Sequence, residues 1–213
     1  MKLPPSESTP QSHDDTQTDV SPVASINRIR ERVGAFVKSI PPALARREDN
    51  LPTTVAAMNA SPRSKLRAIN NVLDSFGEAT APFVACKRGC SSCCHMNITI
   101  SQVEANEIAR KSMRACQTLE QHVSHDFGEF SGVPCPFLID DACSIYGDRP
   151  YVCRKHYSFD TTPHWCHPER STQIKAQLIH FNGAQRAYEG VVAKIRGNVM
   201  ADIRDFFPIG ERV

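Results

Sequence analysis

Long hydrophobic runs and an excess of charge of one sign are both missing from this sequence. Its 213 residues are 40% hydrophobic, and no apolar run approaches the roughly 20 residues that a membrane-spanning helix needs. Lys and Arg number 25 and Asp and Glu number 23, which leaves a formal net charge of +2. We therefore expect no membrane segment, and the charge balance argues against a dedicated nucleic-acid surface.

Sequence motifs of nucleotide binding and of several hydrolase classes are missing as well. The patterns G-x-G-x-x-G, G-x-S-x-G and H-E-x-x-H and the P-loop do not occur. Strand patterns are few and are limited to residues 97–100 and 137–139. The sequence therefore predicts a mostly α fold, in which helices pack around an irregular cysteine-rich metal-binding region.

The first residues lack the apolar stretch of a secretory signal, so we expect a cytoplasmic protein. Residues 1–25 are rich in Ser, Thr, Pro, Gln and Asp and bury too little apolar surface to offset their ordering entropy. We predict a disordered tail there, an N-terminal helical segment over residues 26–80, and a cysteine-cluster metal-binding domain with a long C-terminal helix over residues 81–213.

Two helices are predicted in the N-terminal segment. The first follows Ser25 as N-cap and ends before Pro41, and its polar face is basic. That basic helix, over residues 26–47, is either a solvated surface, which we favour, or a contact for a protein partner. The second begins with Ser61 and Pro62, and Gly77 is its predicted C-cap.

Two further helices are predicted after residue 100. Ser101 and Glu104 form a capping box that starts a helix running to about residue 125. A four-and-three spacing of apolar residues predicts one long helix over residues 174–206. Gly183, Gly190 and Gly197 recur every seven residues inside it, which indicates close backbone packing or chance with equal weight.

Cysteine is missing from both ends of the chain and concentrated in its middle. All nine cysteines lie between Cys86 and Cys166. An odd number leaves one thiol unpaired, and the cytoplasm disfavours structural disulfides, so metal ligation is the leading interpretation. Soft sulfur ligands select zinc, copper(I) or iron–sulfur centres over hard ions.

Eight of the nine form the predicted ligand set, because Cys116 falls on the apolar face of a predicted helix and behaves there as a small hydrophobe. Adjacent Cys93 and Cys94 diverge in extended backbone, which suits two metals or opposite sides of one cluster. Two four-thiolate sites, or one cluster plus a second ion, both fit eight ligands, and the spacing leaves the grouping open. The predicted metal ligands are Cys86, Cys90, Cys93, Cys94, Cys135, Cys143, Cys153 and Cys166.

Other polar and aromatic side chains crowd the same region. Any of four histidines can replace a thiolate or bind in a supporting role. Arg149 and Arg154 flank Cys153 and are expected to offset the negative charge of thiolates. Tyr157 and Trp165 either line a small-molecule pocket or shield the metal from water. The four histidines are His95, His156, His164 and His167.

Four sequence blocks occur in order: C-x3-C-x2-C-C, then C-P-F-L, then C-S-I-Y, and finally R-P-x2-C-R. Over residues 80–170 this order resembles the YkgJ-type cysteine-cluster family, which is described as zinc- or iron-chelating. The resemblance implies a metal centre of zinc or an iron–sulfur cluster. A related group, the flagellin lysine N-methylases, implies an iron–sulfur-dependent enzyme as the alternative, acting by electron transfer or by a protein-modifying group transfer such as lysine N-methylation.

Overall fold

The computed structural model describes residues 19–208, and these are mostly helical. Strand β1 pairs antiparallel with β4, and β2 pairs antiparallel with β3. None of the described helices is long and apolar enough to cross a bilayer. The elements are α1 (Pro22–Ser39), α2 (Pro42–Asp49), α3 (Leu51–Ala57), α4 (Pro62–Thr80), β1 (Thr99–Ser101), α5 (Gln102–Ser112), β2 (Leu138–Ile139), β3 (Ala142–Cys143), α6 (Tyr151–Arg154), α7 (Asn182–Val192), β4 (Met200–Asp202) and α8 (Ile203–Phe206).

The expectation of a mostly α fold with an irregular cysteine-rich region is confirmed. The predicted disordered tail falls mainly on residues 1–18, which lie outside the described residues. Its last residues are helical, because α1 begins at Pro22, a residue favoured at the first helical position. Ser25, predicted as the N-cap, is instead fully buried inside α1 and accepts a hydrogen bond from Arg28.

Helices α1 to α4 and α7 enclose a first hydrophobic core. Their apolar faces meet there, and α7 packs between α3 and α4. Two basic side chains on the face of α1 that was predicted to be solvated make internal contacts. Arg28 pairs with buried Asp160, and Arg32 donates to the carbonyl oxygens of Pro82 and Phe83. The first core includes Ile29, Val33, Phe36, Leu44, Val55, Ile69, Leu73, Phe76, Phe181, Tyr188 and Val191.

Helix α4 begins as predicted, with the Ser61 hydroxyl accepting from the Ser64 N–H and Pro62 at the first position. Its predicted end at Gly77 is wrong. The helix continues to Thr80, which is fully buried and donates its hydroxyl proton to the Gly77 carbonyl. Burial of this last turn therefore outweighs the low helix propensity of glycine.

A second core lies beside β1, α5, β4 and α8. Helix α5 has the predicted capping box at Ser101 and Glu104, but the predicted helix over residues 113–125 is wrong. Met113 has a left-handed backbone with φ of 56°, which ends α5. The following segment is held by tertiary hydrogen bonds instead, among them one from the Leu119 N–H to the Gln102 side chain. The second core includes Ile98, Ile100, Ala105, Ile108, Phe137, Ile145, Val199, Ala201, Ile203, Phe206 and Phe207.

The long helix predicted over residues 174–206 is wrong. The chain forms α7, a turn in which Gly197 has φ of 71°, strand β4 and the short helix α8. The apolar residues keep helical spacing, but those of α7 enter the first core and those after Gly197 enter the second. Close glycine packing occurs at one of the three positions: a Cβ on Gly183 would lie 1.9 Å from the Glu48 carbonyl oxygen, whereas Gly190 and Gly197 have open space.

Candidate metal centre

The first cysteine block is a tight loop between α4 and β1. Gly89, with φ of 89°, supplies a left-handed turn, and the Cys90 N–H donates to the Lys87 carbonyl oxygen over 3.0 Å. A single 3₁₀ turn, Ser92–His95, carries Cys93 and Cys94. In a 3₁₀ turn, adjacent side chains leave the backbone in different directions. The sequence predicts the same divergence of Cys93 and Cys94, but in extended backbone.

The second block is fastened to the first through the backbone. The Cys135 N–H donates to the Cys94 carbonyl oxygen over 2.7 Å. Strands β2 and β3 then form a two-residue hairpin turn in which Asp140 and Asp141 have φ of 47° and 56°, the geometry of a type I′ turn. This hairpin places Cys143 opposite Leu138.

The last two cysteines approach the loop from its other side. Cys153 lies on α6, and Cys166 lies on the 3₁₀ turn His164–Cys166. Ser158, between them, joins this segment to the first block. Its N–H donates to the Cys86 sulfur over 3.2 Å, and its carbonyl oxygen accepts from the Ala85 N–H over 2.9 Å.

Four thiols form a first thiol group, defined here as Cys86, Cys90, Cys93 and Cys166. Burial raises the pKa of Cys86, and the thiols of Cys93 and Cys90 raise it further. Burial raises the pKa of Cys166 to about 11, against a hydrogen bond from Ser158, and the other three thiols of the group add to the increase. These four sulfurs therefore occupy one electrostatic neighbourhood.

The remaining four form a second thiol group, defined here as Cys94, Cys135, Cys143 and Cys153, and all four pack in or against the second core. Burial raises the pKa of Cys135 to about 11, and Cys143 contributes to the increase. Burial also raises the pKa of Cys153, with further contributions from Cys93, Cys135 and Cys143. The surroundings of Cys135, Cys143 and Cys153 favour the neutral thiol unless a cation is present.

Cys93 and Cys94 connect the two thiol groups. The neighbouring Cys94 thiol is the main reason why the pKa of Cys93 is raised, followed by desolvation. Cys93 also raises the pKa of Cys143 and of Cys153 in the second group. Electrostatic coupling thus connects the eight predicted ligands into one network of thiols.

Two arginines supply positive charge to this network. Arg149, stacked over the Tyr146 ring at 3.7 Å, lowers the pKa of Cys86 and Cys143. Arg204 lowers the pKa of Cys135 and donates to the carbonyl oxygens of Cys94, Met96 and Val133, so it also holds the loop. Sequence reasoning missed Arg204, because nothing in its local pattern reveals a contact 110 residues away.

Arg154, predicted beside Arg149 as a partner of the sulfurs, has a different role. It is buried, pairs with Asp74 of α4, and donates to the carbonyl oxygens of Gly147 and Arg149. Every one of these contacts fixes the loop that leads into Cys153. Arg154 therefore supports the shape of the site rather than its charge.

The four candidate histidines are arranged less uniformly than the thiols. The His95 ring lies 3.2 Å from the Ser91 carbonyl oxygen. Desolvation and nearby Lys155 lower the pKa of His156, which keeps that ring neutral. His164 packs edge-on against Trp165. His167 Nδ1 is buried without a hydrogen-bond partner among the described residues and lies 3.8 Å from a Glu169 carboxylate oxygen.

Cys116 lies outside the network, as its exclusion from the ligand set requires. The helix that was expected to bury it is absent, and Cys116 instead lies in the segment after α5. Its thiol is 3.4 Å from the Asn106 side chain, and its pKa is raised by burial without a contribution from another cysteine. Cys116 is therefore not among the candidate metal ligands.

All nine cysteines are free thiols. Among the described residues, no three Cys, His, Asp or Glu side chains stand close enough to hold a metal ion as they are placed. The donor chemistry nevertheless fits a soft cation. A metal that replaces the thiol protons offsets the cost of burying thiolates and their mutual repulsion. Its positive charge also attracts the sulfurs toward one another.

Comparison with known proteins agrees with this chemistry. Residues 85–167 match the family model CxxCxxCC, described as "putative zinc- or iron-chelating domain". The matched segment begins one residue before Cys86 and ends one residue after Cys166, so it spans both thiol groups. Neither the curated proteins nor the solved structures gave a match. Over residues 85–167 this chain is therefore similar to the CxxCxxCC domain family.

Proposed function

We propose that the protein binds metal through two four-thiolate sites, one in each thiol group. The first site uses Cys86, Cys90, Cys93 and Cys166, and the second uses Cys94, Cys135, Cys143 and Cys153. The observations that carry the proposal are the packing of Cys94, Cys135, Cys143 and Cys153 in or against the second core and the electrostatic coupling of Cys166 to Cys86, Cys90 and Cys93. Zinc or an iron–sulfur cluster is the bound species, since both accept four thiolates.

The separation of Cys93 from Cys94 explains why two adjacent cysteines occur. One tetrahedral ion rarely accepts neighbouring residues, because their side chains leave the backbone in different directions. With one thiol in each site, the pair becomes a bridge that fixes the two metals relative to each other. Arg149 and Arg204 then offset part of the negative charge that eight thiolates bring.

Elemental analysis of anaerobically purified protein tests the proposal. We expect zinc or iron in stoichiometric amount, with absorption near 400 nm (roughly, from iron–thiolate charge transfer) if the centre is iron–sulfur. Cys90→Ser is expected to empty the first site and leave the second filled, and Cys143→Ser is expected to do the reverse. The double variant should lose both.

Cys116→Ser is the matched control, because it removes a thiol of the same chain that lies outside the network. We expect full metal content in this variant. The proposal is wrong if Cys90→Ser and Cys143→Ser keep the wild-type metal content. Loss of all metal in either single variant would contradict two separate sites and would favour one shared cluster.

An iron–sulfur-dependent enzyme is a second candidate, and one observation favours it. A cavity of 460 Å³ opens beside Cys166 of the first thiol group. Chelation alone does not need such a space, whereas electron or group transfer needs room for a substrate next to the metal. The absorption spectrum tests this second candidate, because a colourless zinc protein cannot carry out electron transfer at its metal and would exclude it.

The cytoplasm remains the proposed location. Support comes from nine unpaired thiols, which persist in a reducing compartment. The metal ion is the partner that this proposal includes. The proposal includes no protein partner at the basic helix 26–47, where Arg28 and Arg32 make internal contacts and Arg30 and Lys38 are exposed.

A further inference from the structure

The cavity of 460 Å³ beside Cys166 has the size of a small-molecule site. Its volume lies within the range of about 300–1,000 Å³ that such sites occupy. Ser158 and Cys166 form part of its wall, and the Ser158 N–H donates to the sulfur of Cys86. A molecule in this cavity would therefore lie directly against the first thiol group.

The remaining wall is largely apolar and aromatic. Phe159 and Ile29 are almost fully buried on its inner side, and Tyr157 and Trp165 add two larger rings. At the rim, Phe127 is 83% exposed, although a phenylalanine side chain normally avoids water. Such a wall favours a ligand with an apolar body.

Two polar groups on lining residues, Trp165 and Lys175, indicate the chemistry of the ligand's polar end. The indole N–H of Trp165 is buried and has no acceptor among the described residues, and leaving such a donor unpaired is costly. Lys175 is the only Lys, Arg, Asp or Glu among the described residues that line the cavity. A hydrogen-bond acceptor with negative charge would satisfy both groups, and a carboxylate has this chemistry.

We propose that this cavity binds a small apolar carboxylate, held by Lys175 and the Trp165 indole, next to the metal centre. The ligand's position beside the metal rests on the proposed function, whereas its binding to the cavity does not. Shielding of the metal from water by Tyr157 and Trp165 does not account for an open space of this size with a lysine on its wall.

Trp165 makes the test direct, because it is the only tryptophan in the sequence. Octanoate is added to the full chain as purified, with its metal content known, and tryptophan emission is followed. We expect a saturable change in emission intensity and wavelength. Octanamide, the neutral analogue of nearly the same shape, should bind at least about tenfold more weakly, because it lacks the charge that Lys175 recognises.

Two variants identify the binding residues. Lys175→Ala should weaken octanoate binding about tenfold and leave octanamide binding unchanged. Ala176→Phe, on the same exposed loop, should fill the cavity and weaken both. Lys194→Ala is the matched control, since Lys194 is equally exposed but lies outside this cavity, and it should bind octanoate as the wild type does.

Absence of a saturable emission change with octanoate would overturn the inference, as would equal octanoate binding by wild type and Lys175→Ala. Metal content separates this inference from the proposed function. Protein that retains its metal and does not bind octanoate contradicts only the carboxylate site. Protein that binds octanoate and contains no metal supports the carboxylate site and contradicts only the metal sites.

Discussion

Gly183 marks the point where the backbones of α2 and α7 touch. A Cβ there would lie 1.9 Å from the Glu48 carbonyl oxygen, and the Glu48 side chain accepts from the Ala184 N–H over 2.8 Å. A carbonyl in a helix cannot swing aside as the end of a long side chain can. We therefore expect Gly183→Ala to lower the free energy of unfolding by about 2 kcal/mol, measured by chemical denaturation.

Gly190 provides the control on the same helix. Nothing lies within 4 Å of a Cβ built on Gly190, so Gly190→Ala removes the helix penalty of glycine without a steric cost. The free energy of unfolding should rise by about 0.5–1 kcal/mol. If Gly183→Ala and Gly190→Ala lower the free energy of unfolding to the same degree, the close packing at Gly183 is contradicted.

At the scale of elements, His125 ties the segment after α5 to α8. Its two ring nitrogens lie 2.7 Å from a Glu129 oxygen and 2.9 Å from an Asp205 oxygen. The carboxylates of Glu129 and Asp205 raise the pKa of His125. The folded protein therefore binds this proton more tightly than the unfolded chain does, and the stabilisation is complete below the unfolded pKa of about 6.5.

That stabilisation disappears as the pH rises through the higher folded pKa. We expect His125→Gln to lower the unfolding midpoint in denaturant at about pH 5 and to have a much smaller effect at about pH 9. His180→Gln serves as the control, since His180 is exposed and forms no ion pair among the described residues. A pH-independent effect of His125→Gln would show that the ring contributes packing and not charge.

The starts of α4 and α5 could be predicted from the sequence, whereas their ends could not. Ser61 and Ser101 accept hydrogen bonds from the first turns of α4 and α5, and such caps depend on residues three apart. The end of α5 depends on tertiary contacts instead. The Gln117 N–H, in the segment after α5, donates to the Phe206 carbonyl oxygen, 89 residues further along the chain.

In the candidate site, too, local sequence features could be predicted and tertiary contacts could not. Cysteine chemistry and spacing predict eight ligands, which stay a prediction, whereas the helix on which the exclusion of Cys116 was based is absent. The spacing of the cysteines does not predict which of them lie near one another. Ser158 links the Cys166 segment to Cys86, and a backbone hydrogen bond joins Cys135 to Cys94. Both contacts depend on how loops far apart in the sequence fold against the two cores.

At the scale of the whole molecule, buried Glu104 joins the two cores. Its carboxylate accepts hydrogen bonds from Ser101, from the Tyr151 N–H over 2.8 Å, and from the Tyr188 hydroxyl over 2.5 Å. These partners belong to the start of α5, to α6 and to α7. The Tyr151 and Tyr188 rings also stack, with centroids 4.4 Å apart. None of these contacts at the Glu104 junction involves a cysteine.

The cores differ in their dependence on the metal. The first core contains no cysteine and holds most of the helical residues, whereas Cys94, Cys135, Cys143 and Cys153 pack in or against the second. We expect a strong chelator to remove hydrogen-exchange protection from the second core, at residues 94–153 and 199–207. Protection in α4 and α7 should remain, because their core is complete without the metal.

Mass spectrometry of deuterium uptake, with and without chelator, measures this difference peptide by peptide. Cys116→Ser should respond to the chelator as the wild type does, and circular dichroism should retain most of its helical signal. If α4 and α7 lose protection together with the second core, the metal supports a single cooperative unit through the Glu104 junction. Unchanged uptake in the second core would contradict a structural contribution of the metal, because eight unligated thiols would then be as well ordered as eight metal ligands.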